Sequence, residues 1–576
     1  MYRQSKTHHR QSAFFVFAVV VFMAVVLMGR LGYIMIYRAD YYGDRATALH
    51  ERERSIKAKR GNIYDRNGVL IAGNKSVSTV SVIHSQITDP DRVVEVLAKE
   101  LGCEQTEIRK RVEKISSIER VKANVDKETS DRIRSYELDG VMVDEDYKRY
   151  YTYNSLASKV IGFTGADNQG IIGLEVAYEK VLKGTDGAIL TLTTANGVEI
   201  ENASEGRTEP VPGDNLTISL DVNIQKYVEQ AAKRVMEAKE AKTVRIIVMN
   251  PQDGEIFAMV NLPEFDLNNP YTLNTEVKKN ISEKKKNDLL NQMWRNACVS
   301  DTYEPGSTFK IITASAALEA GVVTMEDHFS CPGYKVVEDR RIRCHKTTGH
   351  GAETFRQGVQ NSCNPVFMEV GARLGVEGIY KYLKNFQVLQ KTGIDIPGEA
   401  STIMHQQKNV GAVELATMSF GQSFQLSPIR LLTTVSALIN GGKTITPHFG
   451  VQVESSDGSV VKKLTYPEGE QVVSEQVSAA MRDVLESVVS EGTGGKAGVE
   501  GYKTGAKTGT SEKLPRRSGK YIASCISFAP ADNPSVLALV MIDEPTGIYY
   551  GGTIAAPVIS EVFDDVLPYL GLKPSS

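Results

Sequence analysis

The chain has 576 residues, 41% hydrophobic and 24% charged, a length that calls for two or three folded units and a composition that is globular, not disordered or fibrous. Its 67 basic and 70 acidic residues leave a net charge of −3. Without a basic surplus, a nucleic-acid partner is excluded as the expectation.

The first element is an uncharged apolar run, Ala13 to Gly29, which resumes after Arg30 as LGYIMIY. Together these stretches match the roughly 20 helical residues that a bilayer core of about 30 Å requires. Arg3, Lys6 and Arg10 precede the run, and residues 1–11 contain no acid. The positive-inside tendency then places residues 1–11 in the cytoplasm, residues 12–37 in the membrane and the remainder outside. No small-x-small cleavage site follows, which predicts an uncleaved signal anchor. Outside the membrane the six cysteines, Cys103, Cys298, Cys331, Cys344, Cys363 and Cys525, meet an oxidising compartment. They show no CxxC spacing with histidines, so no metal site is expected.

Residues 41–60 are polar and basic, as for a stalk. RGNIYDRNGVLIA (Arg60 to Ala72) reads as a turn into a strand with Asn67-Gly68 as the turn signal. Val77–Ile83 alternates as a half-buried strand, and helical patterns follow at Asp89–Leu101 and Thr106–Ile115. Residues 38–212 are thus expected to form an elongated α+β module without a catalytic constellation. A polar stretch marks a boundary near Pro212-Gly213. Beyond it come a strand and an amphipathic helix (LTISLDVNIQKYVEQAAKRVMEA). Two strands follow, joined at Pro251–Gly254. The lysine-rich run 276–286 reads as solvated surface. Tyr521–Phe528 and Val536–Ile542 are expected strands and Pro557–Leu570 a closing helix. Strands at both ends of residues 213–576 predict an α+β domain whose sheet joins them.

Acyl transfer from an amide needs a nucleophilic hydroxyl, a base for its proton and donors for the oxyanion. Ser-x-x-Lys on a helix supplies the first two, because positions i and i+3 share a face. The pattern occurs at Ser282/Lys285, Ser307/Lys310 and Ser459/Lys462. Only Ser307 follows Pro305-Gly306 and leads an apolar helical stretch, at a helix N-terminus whose dipole favours an anion. Taken alone it reads better as an ordinary N-cap. Two partners decide otherwise. Ser362-Cys363-Asn364 precedes a second apolar helix, and Lys-Thr-Gly occurs at Lys391, Lys503 and Lys507. Only Lys507 heads a hairpin arm, opposite Tyr521–Phe528, where period two puts Thr508 and Thr510 on one face and Gly509 lets a substrate backbone approach.

Ser-x-x-Lys, Ser-x-Asn and Lys-Thr-Gly in this order resemble the trio of β-lactamases and penicillin-binding proteins. Over nearly the whole chain, RGNIYDRNGVLIA, Lys148–Gly165, Gly170–Gly187, EPGSTFK, Gly349–Gly351 and Tyr549–Val558 resemble class B penicillin-binding proteins of the division and sporulation type. The resemblance implies a β-lactamase/D,D-peptidase-like domain over 213–576, an antiparallel sheet flanked by helices, behind a non-catalytic pedestal over 38–212. It implies a D,D-transpeptidase that cross-links stem peptides ending in D-Ala-D-Ala through an acyl-enzyme and is blocked covalently by β-lactams. Ser307 would be the nucleophile, Lys310 its proton acceptor, Ser362 and Asn364 the relay and peptide-binding pair, and Lys507 a charge beside Ser362. Thr508 and Thr510 would grip the terminal carboxylate, with the N–H groups of Ser307 and Thr510 as oxyanion hole. No cofactor is implied. A separate glycosyltransferase would polymerise the glycan.

Cys363, at the centre of Ser-x-Asn, reads first as a small buried apolar thiol. The sharper reading is a redox-sensitive disulfide with Cys344, for which Cys331 competes. Two other functions remain open on sequence: a membrane-anchored β-lactamase, separated by rapid turnover of penicillin, and a scaffold or penicillin sensor, separated by rescue with Ser307→Ala.

Overall fold

The structure is a computed structural model that describes residues 2–42, 51–116, 118–192, 206–275 and 281–574. Part of the expected stalk (43–50) and part of the lysine-rich run (276–280) lie outside the described residues. The chain forms two compact units. One comprises residues 1–59, 75–148 and 185–211, the other residues 60–74, 149–184 and 212–576.

The first unit opens with helix α1, Tyr2–Gly32, continued by a wider turn over Tyr33–Tyr37. Within it Arg10–Tyr37 is long and apolar enough to cross a membrane, and its apolar side chains are not buried against protein. A helix suits that setting because all its backbone groups bond within the segment. The unit's own core packs the helix Pro90–Leu101 against strand residues 75–82 and Glu119–Val125 through Val80, Val82, Val93, Leu97 and Val121. Asp89 caps that helix by accepting from the Arg92 N–H, and Gly102, at φ +60°, closes it.

The second unit is built on a five-stranded antiparallel sheet: β1 (Thr243–Met249), β2 (Ile256–Leu262), β3 (Gly505–Glu512), β4 (Tyr521–Ala529) and β5 (Val536–Asp543), in the order β2-β1-β5-β4-β3. The first two strands and the last three thus join, as the strand patterns at both ends of the domain predict. Both faces are covered, and alternation divides them. Val244, Ile246, Val248, Ala538, Val540 and Ile542 meet helices α2 (Val222–Lys239) and α6 (Ala556–Tyr569). Ile247, Met249, Leu537, Leu539 and Met541 face the larger core, which holds helices α3 (Lys310–Glu319), α4 (Asn364–Asn385, broken at Gly375) and α5 (Glu475–Ser490). β3 is an edge strand, and the site is built against it.

The expected single boundary at 212 is one edge of this unit, but residues 60–74 and 149–184 also fold with it. The physical reason is strand pairing and core packing: Ile63 and Tyr64 pair in parallel with Leu216 and Thr217, and Phe163 meets Phe265 edge-on at 6.1 Å. A buried ionic cluster ties the two segments to each other. Glu175 accepts from Arg60 Nε at 2.7 Å and from Arg149 Nε at 2.6 Å, while Arg149 Nη1 donates to the Gly61 carbonyl at 2.7 Å. Ile63, Phe163, Leu174 and Leu182 are fully buried in the same core. Composition shifts along the chain do not reveal such a crossing, because it depends on side chains distant in sequence.

Candidate active site

Gly306, at φ +56°, turns the chain into a short 3-10 turn, Gly306–Phe309, that runs into α3. Ser307 is half-buried on this turn and Lys310 is fully buried one turn later. The other two occurrences of the spacing are local structure. Ser282 caps Glu283–Trp294 by accepting from the Lys285 N–H, and Ser459 is exposed in a turn, bonded to Asp457.

The trio converges. Lys310 Nζ donates to the Ser362 carbonyl at 2.7 Å, to Asn364 Oδ1 at 2.7 Å and to Ser362 Oγ at 3.2 Å. Lys507 Nζ, fully buried, donates to the same Oγ at 2.8 Å and to the Thr508 carbonyl at 3.1 Å. Lys391 and Lys503 are exposed. Ser362 takes φ +52°, a left-handed backbone uncommon for a residue with a side chain and frequent at functional sites. Asn364 starts α4, with Pro365 in its first turn.

Burial disfavours both ammonium groups. It pulls the Lys310 amine down to about 8, against which the Cys344 and Cys363 thiols act in the opposite direction. It pulls Lys507 well below the ordinary lysine range, and the charge on Lys310 adds to the shift. Burial thus acts on both amines, and like charge adds to it at Lys507.

Ser307, Ser362, Asn364, Thr508, Gly509 and Thr510 line one open cavity of about 470 Å³. Gly509 also has a packing reason. A Cβ there would lie 2.7 Å from Ser524 Oγ, 3.0 Å from Thr308 Cγ2 and 3.3 Å from the Pro305 carbonyl. The missing side chain lets β3 close on the turn that carries Ser307. Opposite, Thr510 Oγ1 accepts from the Gly551 N–H at 3.0 Å.

Sequence reasoning missed three aromatic rings in this wall. Tyr521 and Tyr549 stack at 3.9 Å with planes 7° apart, Tyr549 and Tyr550 lie 4.7 Å apart, and all three line the cavity. Tyr549-Tyr550-Gly551-Gly552 carried the signal only as a family-like segment. It also missed His350, which the fold brings to Cys331, Cys344 and Cys363. All six cysteines are free thiols, five of them more than nine-tenths buried in the same unit as the site, and the Sγ atoms of Cys331, Cys344 and Cys363 lie within 4.8 Å of one another. Either pairing considered from sequence is therefore in reach.

A half-buried hydroxyl at a helix start, two buried amines, a second hydroxyl and an amide around one cavity can acylate a serine and relay its proton. Comparison with known proteins agrees. Residues 244–564 match the penicillin binding protein transpeptidase domain, and residues 55–218 the penicillin-binding protein dimerisation domain. Stage V sporulation protein D of Bacillus subtilis is 39% identical, over 97% of this chain and 85% of its own. The peptidoglycan D,D-transpeptidase MrdA of Acinetobacter baumannii is 27% identical, over 98% of this chain and 88% of its own. Among solved structures, a peptidoglycan synthetase from Bifidobacterium adolescentis superposes with a TM-score of 0.74 at 24% identity, covering 91% of this chain and 98% of that one. Penicillin Binding Protein 2X from Streptococcus thermophilus does so with 0.72 at 21%, covering 91% and 83%. The chain belongs to the penicillin-binding protein transpeptidase family.

Proposed function

We infer that the chain is a peptidoglycan D,D-transpeptidase acting through a serine acyl-enzyme in cell-wall synthesis for division or sporulation. The observation that carries this reading is the Ser362 hydroxyl held between Lys507 Nζ and Lys310 Nζ in the cavity that Ser307 lines.

Ser307 Oγ attacks the carbonyl of the penultimate D-alanine of a stem peptide, and Lys310 takes its proton. With an amine pulled to about 8, an appreciable fraction is neutral near pH 7, as a base requires. The amide bond breaks, an ester to Ser307 forms, and the proton passes by Ser362 to the D-alanine amine as it leaves. A stem-peptide amine from a second strand then attacks the ester, restoring the serine hydroxyl and leaving a new amide cross-link. Asn364 orients the peptide, and Thr508 and Thr510 bind the terminal carboxylate beside Lys507. The N–H groups of Ser307 and Thr510 stabilise the oxyanion; losing one such donor costs ~10²–10³ in rate. A β-lactam enters as the acyl donor and leaves Ser307 blocked.

Arg3, Lys6 and Arg10 before the apolar segment support a single-pass anchor with its N-terminus in the cytoplasm and the catalytic unit outside. A separate glycosyltransferase supplies the glycan strands.

Incubation with fluorescent penicillin tests the acyl-enzyme. A long-lived adduct that peptide mass spectrometry locates on Ser307, and that Ser307→Ala abolishes, is expected. Release of D-alanine with formation of cross-linked dimers from pentapeptide strands tests the transfer step. An adduct on another residue would overturn the assignment, and rapid hydrolysis of the drug would make the chain a β-lactamase.

A further inference from the structure

We propose that Cys331, Cys344, His350 and Cys363 form a Zn²⁺ site that clamps the Ser-x-Asn turn of the cavity. One ligand atom from each of these residues lies within 4.8 Å of every other. A tetrahedral zinc with Zn–S near 2.3 Å and Zn–N near 2.0–2.1 Å needs ligand atoms about 3.5–3.8 Å apart. Cys344 Sγ and His350 Nδ1 are already 3.8 Å apart. The other pairs close by small side-chain movements. Three thiols and an imidazole are the soft set that selects zinc over magnesium or calcium. All four side chains are nearly or wholly enclosed, with Cys331 at 1%, Cys344 at 2%, Cys363 at 0% and the His350 side chain at 6% exposure. Such a closed four-ligand set is that of a structural site, not a catalytic one with an open position.

A second observation points the same way. Glu353 Oε1 is buried with no hydrogen-bond partner and lies 3.9 Å from His350 Nδ1, while its other oxygen accepts from Asn361 Nδ2 at 3.0 Å. A buried polar atom without a partner calls for an explanation, and an ion among these four side chains supplies one. The surrounding architecture also needs a cross-link. Cys331 ends the strand His328–Cys331, paired among the described residues only with Gly351–Thr354, and Cys344 follows the hairpin Tyr334–Val337/Arg340–Arg343. Two-stranded pieces of this kind are marginal by themselves. Gly333 and Gly349, at φ +93° and +86°, fold the ends of the loop together.

Loading releases up to three protons, as the thiols become thiolate ligands. Zinc also holds Cys344 and Cys363 apart as ligands, so it excludes a disulfide between them. Because Cys363 sits between Ser362 and Asn364, occupancy fixes the two residues that Lys310 and Lys507 bond. The metal here positions; it does not touch substrate.

The test uses the full chain in detergent, fully reduced and handled without air, so that oxidation cannot hide the thiols. Dialysed against Zn²⁺ alone and then freed of excess, it is expected to retain about one zinc per chain by elemental analysis. Loaded with Co²⁺ instead, it should show thiolate-to-cobalt absorption in the near ultraviolet and strong tetrahedral bands in the visible. Cys331→Ser should lose the retained zinc. Should Cys331→Ser fail to fold, the cobalt spectrum of the unaltered chain decides. A folded, reduced chain that keeps no zinc and gives no thiolate–cobalt bands overturns the proposal, as does zinc held with unchanged affinity by Cys331→Ser.

Discussion

Lys507 Nζ donates a 2.8 Å hydrogen bond to Ser362 Oγ across 145 residues of sequence, and Lys310 Nζ reaches the same oxygen at 3.2 Å. One hydroxyl therefore faces two amines, so its own proton must point away from both. The free direction is the cavity, where a leaving amine would need that proton. Removing the hydroxyl with Ser362→Ala keeps Ser307 and both lysines but cuts the path. Acylation by a penicillin should fall ~10²–10⁴-fold, the range of a lost general acid–base group. Time courses of fluorescent labelling measure it; an unchanged rate would remove Ser362 from the relay.

Lys507→Arg tests the charge differently. A guanidinium stays protonated and is planar, whereas this position is fully buried and disfavours charge. Acylation should drop nearly as far as in Lys507→Ala although the formal charge is retained. Full activity in Lys507→Arg would show that a fixed positive charge suffices.

The pH dependence follows from Lys310. Its amine must be neutral to accept the serine proton, and burial brings it to about 8. Below that value the protonated form dominates and acylation slows about tenfold per pH unit; above it the rate levels. The acylation rate should therefore rise with pH through an inflection near 8 and not near the 10.5 of a free lysine. Stopped-flow acylation between pH 6 and 10, with folding checked at each end, reads the inflection directly.

The legible part of this protein was the part set by local geometry. Ser307 and Lys310 are one helical turn apart, so spacing alone puts them on one face. Lys507 could be separated from Lys391 and Lys503 because only it heads a strand opposite Tyr521–Phe528, and that strand is observed as Tyr521–Ala529. The helical pattern at Asp89–Leu101 is observed as the helix Pro90–Leu101 behind an Asp89 cap. What stayed hidden depends on distant segments meeting. His350 and the three cysteines match no short ligand motif, because their neighbours are two hairpin ends, a loop and a helix start. The enclosure of Glu175 by Arg60 and Arg149 is likewise a product of the fold, as is the pairing of Ile63 with Leu216 that carries residues 60–74 into the catalytic unit.

That enclosure makes a stability prediction. Glu175 is fully buried and neutralises two guanidiniums, both nearly inaccessible to water. Glu175→Ala leaves Arg149 without its carboxylate and Arg60 with only Glu179, which Nη2 meets at 2.8 Å. Breaking a buried pair from one side costs about 3–5 kcal/mol, far more than a surface pair. Chemical denaturation of the second unit should shift accordingly, while Glu179→Ala, whose side chain is 27% exposed, should cost much less. Equal losses would mean that the cluster is not centred on Glu175.

Gly509→Ala separates packing from chemistry at the site itself. The added methyl meets Ser524 Oγ at 2.7 Å, Thr308 Cγ2 at 3.0 Å and the Pro305 carbonyl at 3.3 Å. The serine rotor can turn aside, since its oxygen has no hydrogen-bond partner, but the backbone carbonyl cannot. β3 must then move away from the turn that carries Ser307, at a cost of about 1–3 kcal/mol for overpacking. Penicillin acylation should slow at least tenfold in a chain that still folds, because Thr510 and Ser307 no longer keep their spacing. Ser524→Ala combined with Gly509→Ala removes the first contact and not the third, so it should recover stability more than rate. A double variant that regains both in full would place the strain at Ser524 alone, and the approach of β3 to the nucleophile turn would not be what Gly509 serves.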